Sequence, residues 1–542
     1  MYSPSPDGDS TGETTNDVRF PAISADAVEH VRGDNARSNN IAAARAVGEA
    51  VRSTLGPTGL DKMLVSSGTI TVTNDGETVL TEMDIEHPAA KALVEVARAQ
   101  VQEVGDGTTT SVLLASELLR TAEDLLDRDV HPTVVVAGYQ HAVDRAVAEL
   151  TDLARPVDPD DALLRRLSES SMTGKAVSPH AETLTSLVLD ATQAVTVDGT
   201  VDVDYLKTVS RAGAPAGESR LRHGAVLDAD PCRGVMPTEH RSADVLLVHQ
   251  DIDVTEPESL ARADLDDVES RDVLASRSDE WGTAVVDHVA ELGATVVLCH
   301  GRVDDSVAQR LASRGILAVQ HISRTETEFP FLREVTGATP VMEPLEATGD
   351  HLGTVDVSGD GPISVENPDT HGVTLVLRGT TEPIAEEIER SVTDSIDIVS
   401  RTVEDGRILP GGGAAEIELA RRLRDSATGI DDRTQLVVDA FADALEVVPR
   451  TLASNAGLDP LDVLVDLRTA HASDHPDAGI DATTGETRDM FDGGVVQPAY
   501  VTEQTVYTAA RAASIVLKVD EVISAAHLSQ TDDEGEAENG TR

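Results

Sequence analysis

Cysteine, lysine and aromatic side chains are all scarce in this chain of 542 residues, and each scarcity excludes something. Its two cysteines, Cys232 and Cys299, cannot build a disulfide framework at this length, and neither belongs to a Cys-x-x-Cys metal pair, which fits a reducing cytoplasm. Long apolar runs are missing as well: nothing approaches the ~18 consecutive apolar residues of a membrane span. Residues 1–17, rich in Ser, Pro, Gly, Asp and Thr, lack the apolar region of a secretory signal. Basic residues are few beside acidic ones, 43 against 97, for a formal net charge of −54. Such a surface repels phosphate backbones and anionic bilayers, so neither nucleic acid nor membrane is expected as a partner.

Hydrophobic residues still make up 40% of the chain and are spread along it, enough for several compact cores. The only lysines are Lys62, Lys91, Lys175, Lys207 and Lys518, and aromatics amount to 2%. Acidity that runs through every segment suits a high-salt cytoplasm, where carboxylate repulsion is screened within ~3 Å at molar salt. The composition therefore reads as that of a halophile.

Hydrophobic periodicity divides the chain into three textures. Residues 41–55 form an alanine-rich helical pattern that breaks at Leu55-Gly56-Pro57-Thr58-Gly59. Alternating β-branched residues at 69–73, then Asn74-Asp75-Gly76 and a short run at 78–80, predict a hairpin whose turn presents Asp75. A helix over 88–104 is expected to end at Gly105-Asp106-Gly107, with Thr108 opening another. Short strands dominate 198–248, and 256–280 is so charged that it reads as an exposed projection. A helix at 285–292, a strand at 294–298, a helix at 305–314 and a strand at 316–319 then alternate as in a βαβ arrangement. The strand 373–377 gives way to a long helix with an apolar stripe at Ile384, Ile388, Val392, Ile396, Val399 and Val403, and Asp394 points away from it. That helix stops at Asp405-Gly406, and Pro410-Gly411-Gly412-Gly413 feeds the next one.

These turns suggest a chemistry. Bare backbone at Leu55-Gly56-Pro57 and Gly411-Gly412-Gly413 lets an anion approach helix-terminal amides. Asp106 adds a carboxylate for a hard cation, and Thr108, Thr109 and Thr110 add hydroxyls at a helix start, a grip for magnesium and phosphates. Asp75 and Asp394 could orient a water and accept its proton. Taken singly, each piece reads as readily as a helix C-cap, a turn or a solvated face, and spacing alone does not bring 75, 106 and 394 together. No Gly-x-x-x-x-Gly-Lys-Ser/Thr string is present, which argues against a P-loop NTPase. His471 and His475, with Asp474, have the i, i+4 spacing of a metal pair, but His475 precedes Pro476 in a polar loop with no third ligand, so no metal is assigned there. Cys299 reads as a small core residue, and His87, before Pro88, as one that caps or packs rather than catalyses.

The strings 55–63 (Leu-Gly-Pro-Thr-Gly-Leu-Asp-Lys-Met), Thr73-Asn74-Asp75-Gly76 and Val104 to Thr110 resemble those of group II chaperonins, the archaeal thermosome and its relative, the eukaryotic cytosolic chaperonin. The resemblance continues through 84–90, Glu389 to Asp394, Pro410 to Gly413 and Asn455 to Pro460. It implies a multidomain fold: a mainly α equatorial domain (20–153 with 405–526), an α/β intermediate domain (154–220 with 373–404) and an α/β apical domain (221–372) carrying a helical lid protrusion near 255–280. Tails at 1–19 and 527–542 are expected to be flexible and acidic.

The resemblance also implies ATP and Mg2+ as ligands. Leu55, Gly56, Pro57, Gly411 and Gly412 would lie against the nucleotide, Gly107 and Thr108 to Thr110 against the phosphates and Asp106 on the metal. Asp394 would activate the water with help from Asp75, and Lys175 would sense the γ-phosphate. The expected function is an ATP-dependent chaperone in the cytoplasm, a stacked double ring of identical or paralogous subunits that encloses unfolded polypeptides and closes its lid on ATP hydrolysis. A ring-forming holdase without turnover and a soluble ATP-dependent phosphotransferase are the rival readings. The sequence departs from the family's pattern at Thr58, where Lys or Arg is usual, at Gln497, where an acid near the ribose is usual, in its acidic lid segment, and in a tail without glycine-methionine repeats.

Overall fold

The computed structural model describes residues 29–32, 34–66, 69–158, 162–173, 178–227, 229–253, 268–322, 328–359, 362–519 and 521–524. Lys175, both tails and about half of the projecting segment, residues 256–267, fall outside that set.

With so few aromatics, the largest core is built from alanine, valine and leucine on closely packed helices. Asp34–Arg52, Pro88–Val104, Thr108–Leu126 and Pro132–Leu153 pack with Ala414–Ala427, Thr434–Leu445, Val447–Asn455 and Ala499–Lys518, which come from the other end of the chain. Ala44, Ala115, Ala122, Ala142 and Ala146 are fully buried there, and small side chains let helix axes approach. Tyr139 and Phe441 meet edge-on at 5.6 Å in this core, and the Tyr139 hydroxyl donates to the Leu118 carbonyl. The described ends close on each other as Glu29–Arg32 pairs antiparallel with Glu521–Ser524.

The middle of the chain is α/β. An eight-stranded sheet runs, in spatial order, through Leu317–Val319, Val296–Cys299, His240–Val248, Gly353–Ser358, Ile363–Glu366, Arg220–Leu227, Val373–Gly379 and Leu206–Ala212. Its first three strands are mutually parallel and are linked by the helices Val268–Leu292 and Asp305–Ser313, the expected βαβ arrangement. Cys299 is buried at that strand end, with its thiol donating to the Gln250 carbonyl. At the other edge, the helices Ala181–Ala194 and Glu382–Asp405 pack on the last two strands around a separate core, and Ala162–Met172 packs against those two helices.

Several expectations shift. The hairpin is formed by Lys62–Ser66 with Thr69–Thr73, not by 69–73 with 78–80. Residues 78–80 belong to a short helix, Gly76–Glu82, because the Asp75 carboxylate caps its first amides, and a cap outweighs the β preference of Thr78 and Val79. The helix expected at 285–292 begins at Val268. In the long helix, Ile388, Val392, Ile396 and Val399 are buried, but Ile384 is 42% exposed and lies outside the packed stripe. His87 accepts the Ala89 amide at 3.3 Å, as a cap does.

Candidate functional site

The helical core and the core beneath the long helix face each other across a cleft of about 540 Å³. Leu55, Gly56 and Pro57 line it where the first long helix breaks, and Asp75 and Gly76 where the short helix begins. Gly105 to Thr110 contribute the next wall, Asp394 projects from the long helix, and Gly411, Gly412, Gly413 and Gln497 close the far side. Asp75, Asp106, Asp394 and Gly412, which lie far apart along the chain, thus share one space. Ser171 and Thr173 line it too, immediately before the undescribed residues that include Lys175.

Local chain chemistry explains each wall. Gly105 and Gly107 adopt φ of 77° and 86°, a left-handed pair that turns the chain sharply and leaves Asp106 exposed between them. Gly107 caps the helix Thr108–Leu126 without a side chain, and the first intrahelical bond runs from Ser111 N–H to the Gly107 carbonyl at 2.8 Å. The amides of Thr108, Thr109 and Thr110 are therefore left for an external acceptor, at the positive end of the helix dipole. Asp106 Oδ1 accepts the Gly107 amide at 2.6 Å, which fixes the carboxylate at the mouth of this turn.

The opposite wall is strapped by backbone. The Gly411 amide donates to the Val495 carbonyl at 2.9 Å, and the Ile480 amide donates to the Gly412 carbonyl at 2.9 Å. A Cβ on Gly412, whose φ is 59°, would meet the Ile480 carbonyl oxygen at 2.5 Å, so glycine is required both by conformation and by space. Gly413 in turn starts the helix Ala414–Ala427 without a side-chain cap. Gln497 donates its amide to Glu416 Oε1 at 3.1 Å and to Thr502 Oγ1 at 3.0 Å. Glu416 is buried, its other oxygen has no hydrogen bond, and burial pushes its pKa up, with the Gln497 bond pulling the other way.

Carboxylates crowd the first wall. Burial raises the pKa of Glu77, and the charges of Asp75 and Asp394 raise it further. Burial also raises that of Asp397, one turn beyond Asp394, where Arg401 lowers it and Asp394 raises it. Like charges held this close in part-buried positions are a natural seat for a cation. Among the described residues no group of protein side chains is arranged to hold a metal by itself. The donor set fits magnesium that takes one carboxylate, Asp106, and fills its remaining positions with water and phosphate oxygens.

Asp75 is already partly engaged. Its Oδ2 accepts the Thr78 amide and hydroxyl at 2.8 and 2.7 Å, while Oδ1 meets the Glu77 amide only at 3.4 Å. Asn455 holds the Gly56 turn in place: its amide donates to the carbonyls of Arg52 at 3.0 Å and Leu55 at 2.8 Å. No local pattern marks that role, because its partners lie some 400 residues upstream. Among the described residues, Arg166 and Arg390 are the cations lining the cleft; Arg390 lies within the string Glu389 to Asp394, whereas nothing in the sequence neighbourhood of Arg166 singles out a site.

A model of the TCP-1/cpn60 chaperonin family matches residues 47–527, nearly all of the described chain. This chain belongs to that family. It is 44% identical to thermosome subunit 2 of Haloferax volcanii over 96% of this chain and 95% of the relative. It is 44% identical to thermosome subunit beta of Halobacterium salinarum, over 94% and 93%, and 43% identical to a thermosome subunit of Methanopyrus kandleri, over 95% and 96%. The chain is a group II chaperonin subunit, an ATP-dependent chaperone of the double-ring type. The haloarchaeal relatives accord with the acidic composition.

Proposed function

We propose that the cleft binds magnesium-ATP and hydrolyses it to drive protein folding. The observation that carries this reading is the meeting, in one cleft, of glycine turns and an uncapped helix start from one core with Asp394 from another. Gly56, Pro57, Gly411 and Gly412 give the nucleotide close access to backbone, Gln497 faces the ribose, and the amides and hydroxyls of Thr108, Thr109 and Thr110 take the phosphates. Asp106 holds magnesium, which when bound neutralises phosphate charge. Asp394 accepts the proton of the attacking water. Asp75, with Oδ2 committed to its cap, orients that water through Oδ1 and does not take the proton. Lys175 senses the γ-phosphate, a role that rests on the family resemblance.

In this reading the helical core is the equatorial domain (20–153 with 405–526), the long helix lies in the intermediate domain (154–220 with 373–404), and the apical domain (221–372) carries the lid. Because Asp394 and the phosphate-binding turn belong to different cores, hydrolysis follows only when the domains close, and closure in turn moves the lid. Unfolded polypeptides are the clients, and the cytoplasm is the site of action. Among the described residues no helix is long and apolar enough to cross a membrane.

The partners are further subunits in stacked rings. Haloferax volcanii and Halobacterium salinarum each have more than one thermosome subunit, which favours mixed rings. The hairpin Lys62–Ser66/Thr69–Thr73 supports assembly: Met63, Val65 and Val72 are 68%, 71% and 56% exposed on one face, an apolar surface that a neighbouring copy would cover.

Electron microscopy in concentrated KCl, with and without magnesium-ATP, should show stacked rings that close, alongside release of free phosphate and protection of an unfolded client. Phosphate transfer to a small acceptor would favour the phosphotransferase, and suppression of aggregation without hydrolysis the holdase.

A further inference from the structure

His471 ends the helix Pro460–Ala472 and is buried, in contact with both sides of the strapped wall. Its Nδ1 lies 3.0 Å from Glu418 Oε2, and its Nε2 lies 2.7 Å from the Ala478 carbonyl oxygen. Glu418 sits on the helix that Gly413 starts, and Ala478 opens the strand Ala478–Asp481, whose Ile480 amide donates to the Gly412 carbonyl. The ring thus ties together the two pieces that enclose Gly411 to Gly413.

Both of its partners are acceptors when Glu418 is ionised. Both ring nitrogens lie within hydrogen-bond distance of an oxygen, so the ring spans the two pieces from side to side. Burial alone would raise the Glu418 pKa, but hydrogen bonds from His471, Arg421 and Arg422 override it and hold the group well below the usual carboxylate range. Asp477 in the following loop also faces the ring, and it is paired with Arg155.

We propose that His471 is a positioning residue for the nucleotide: its ring, seated between Glu418 and the Ala478 carbonyl, locks the strand Ala478–Asp481 against the glycine turn and so raises ATP affinity. The metal-like spacing to His475 plays no part, because both ring nitrogens are already taken. The proposal rests on the reading of the cleft as an ATP site, and its test separates the two.

The assembled full-length protein is compared with His471→Gln and Glu418→Gln, for ATP KM and kcat and for hydrogen exchange at residues 478–481 without nucleotide. In His471→Gln, KM is raised about tenfold, the cost of one charged hydrogen bond, kcat changes little, and Ile480 exchanges faster. In Glu418→Gln the ring keeps a hydrogen-bonding partner on one side and the Ala478 carbonyl on the other, so exchange at 478–481 rises less than in His471→Gln although the surrounding arginine pairs are lost. Exchange at 478–481 that is the same in His471→Gln as in the wild type would overturn the proposal. So would faster exchange in His471→Gln with an unchanged KM. A wild type that turns over no ATP would instead overturn the functional reading, and the exchange comparison would still decide whether His471 locks the strand. Should His471→Gln fail to assemble, the variant His471→Asn carries the decision by the same two readouts.

Discussion

The cleft has two glycine walls that start helices in the same way and are supported in opposite ways. At Gly105 to Thr110 the turn is open and surrounded by carboxylates, with Asp106 exposed and Glu77, Asp394 and Asp397 close by. At Gly411 to Gly413 the turn is clamped by neighbouring backbone on both sides and backed by the Glu418–His471 pair. Repulsion makes the first wall responsive to charge, whereas hydrogen bonds make the second rigid. A site that must hold a nucleotide firmly while its phosphate end changes during turnover needs both properties.

The largest expected effect is at the responsive wall. Asp394→Ala should bind ATP yet hydrolyse it about 10²-fold or more slowly if the lost general base dominates, and single-turnover assays would show an unchanged rate if Asp394 has another role. Next comes a matched pair of glycine substitutions. Both sites have positive φ, which costs an alanine about 1–2 kcal/mol. At Gly105 the new Cβ would meet Asp397 Cβ at 3.2 Å, while at Gly412 it would meet the Ile480 carbonyl at 2.5 Å. Gly412→Ala should therefore abolish measurable nucleotide binding where Gly105→Ala only weakens it; calorimetry showing equal losses would erase the distinction between the walls.

Salt should separate the walls as well. Moving from molar KCl to ~0.01 M salt extends the reach of charge from about 3 to about 30 Å. Hydrogen exchange should then rise first over 75–110 and later over 478–481, and simultaneous loss would contradict the contrast.

The smallest effect is expected at Gln497→Glu, which sets a second carboxylate against buried Glu416. A carboxyl whose native pKa lies above its unfolded one binds more protons when folded, so its stabilising effect is greatest at low pH and falls as pH rises through that window. The variant should widen the window, with a melting temperature that drops and an ATP KM that climbs more steeply toward neutral pH than in the wild type. Melting curves parallel to wild type at every pH would show that Glu416 and residue 497 do not share a proton.

Much of this was legible from residue patterns. Val104-Gly105-Asp106-Gly107 and Pro410 to Gly413 could only break helices, and the structure places the new helix starts at Thr108 and Ala414. Asn74-Asp75-Gly76 misled, since the same residues that make a hairpin turn can make an N-cap, and only the following amides decide which. Asn455 and His471 were opaque for a different reason. Each acts on backbone carbonyls, and a backbone partner leaves no mark in the residue types that surround it. Convergence of the walls was equally hidden, because it depends on helices from opposite ends of the chain packing into one core.

That interleaving has a consequence for biosynthesis. The turn Gly105 to Thr110 is translated early, but Gly412, Ile480 and Gln497 emerge only after the whole eight-stranded α/β body, and Glu521–Ser524, which zips onto Glu29–Arg32, comes later still. A fragment that ends before Gly411 lacks one wall of the cleft. On the proposed reading of that cleft, nucleotide occupancy would mark a subunit whose last helices have joined the first.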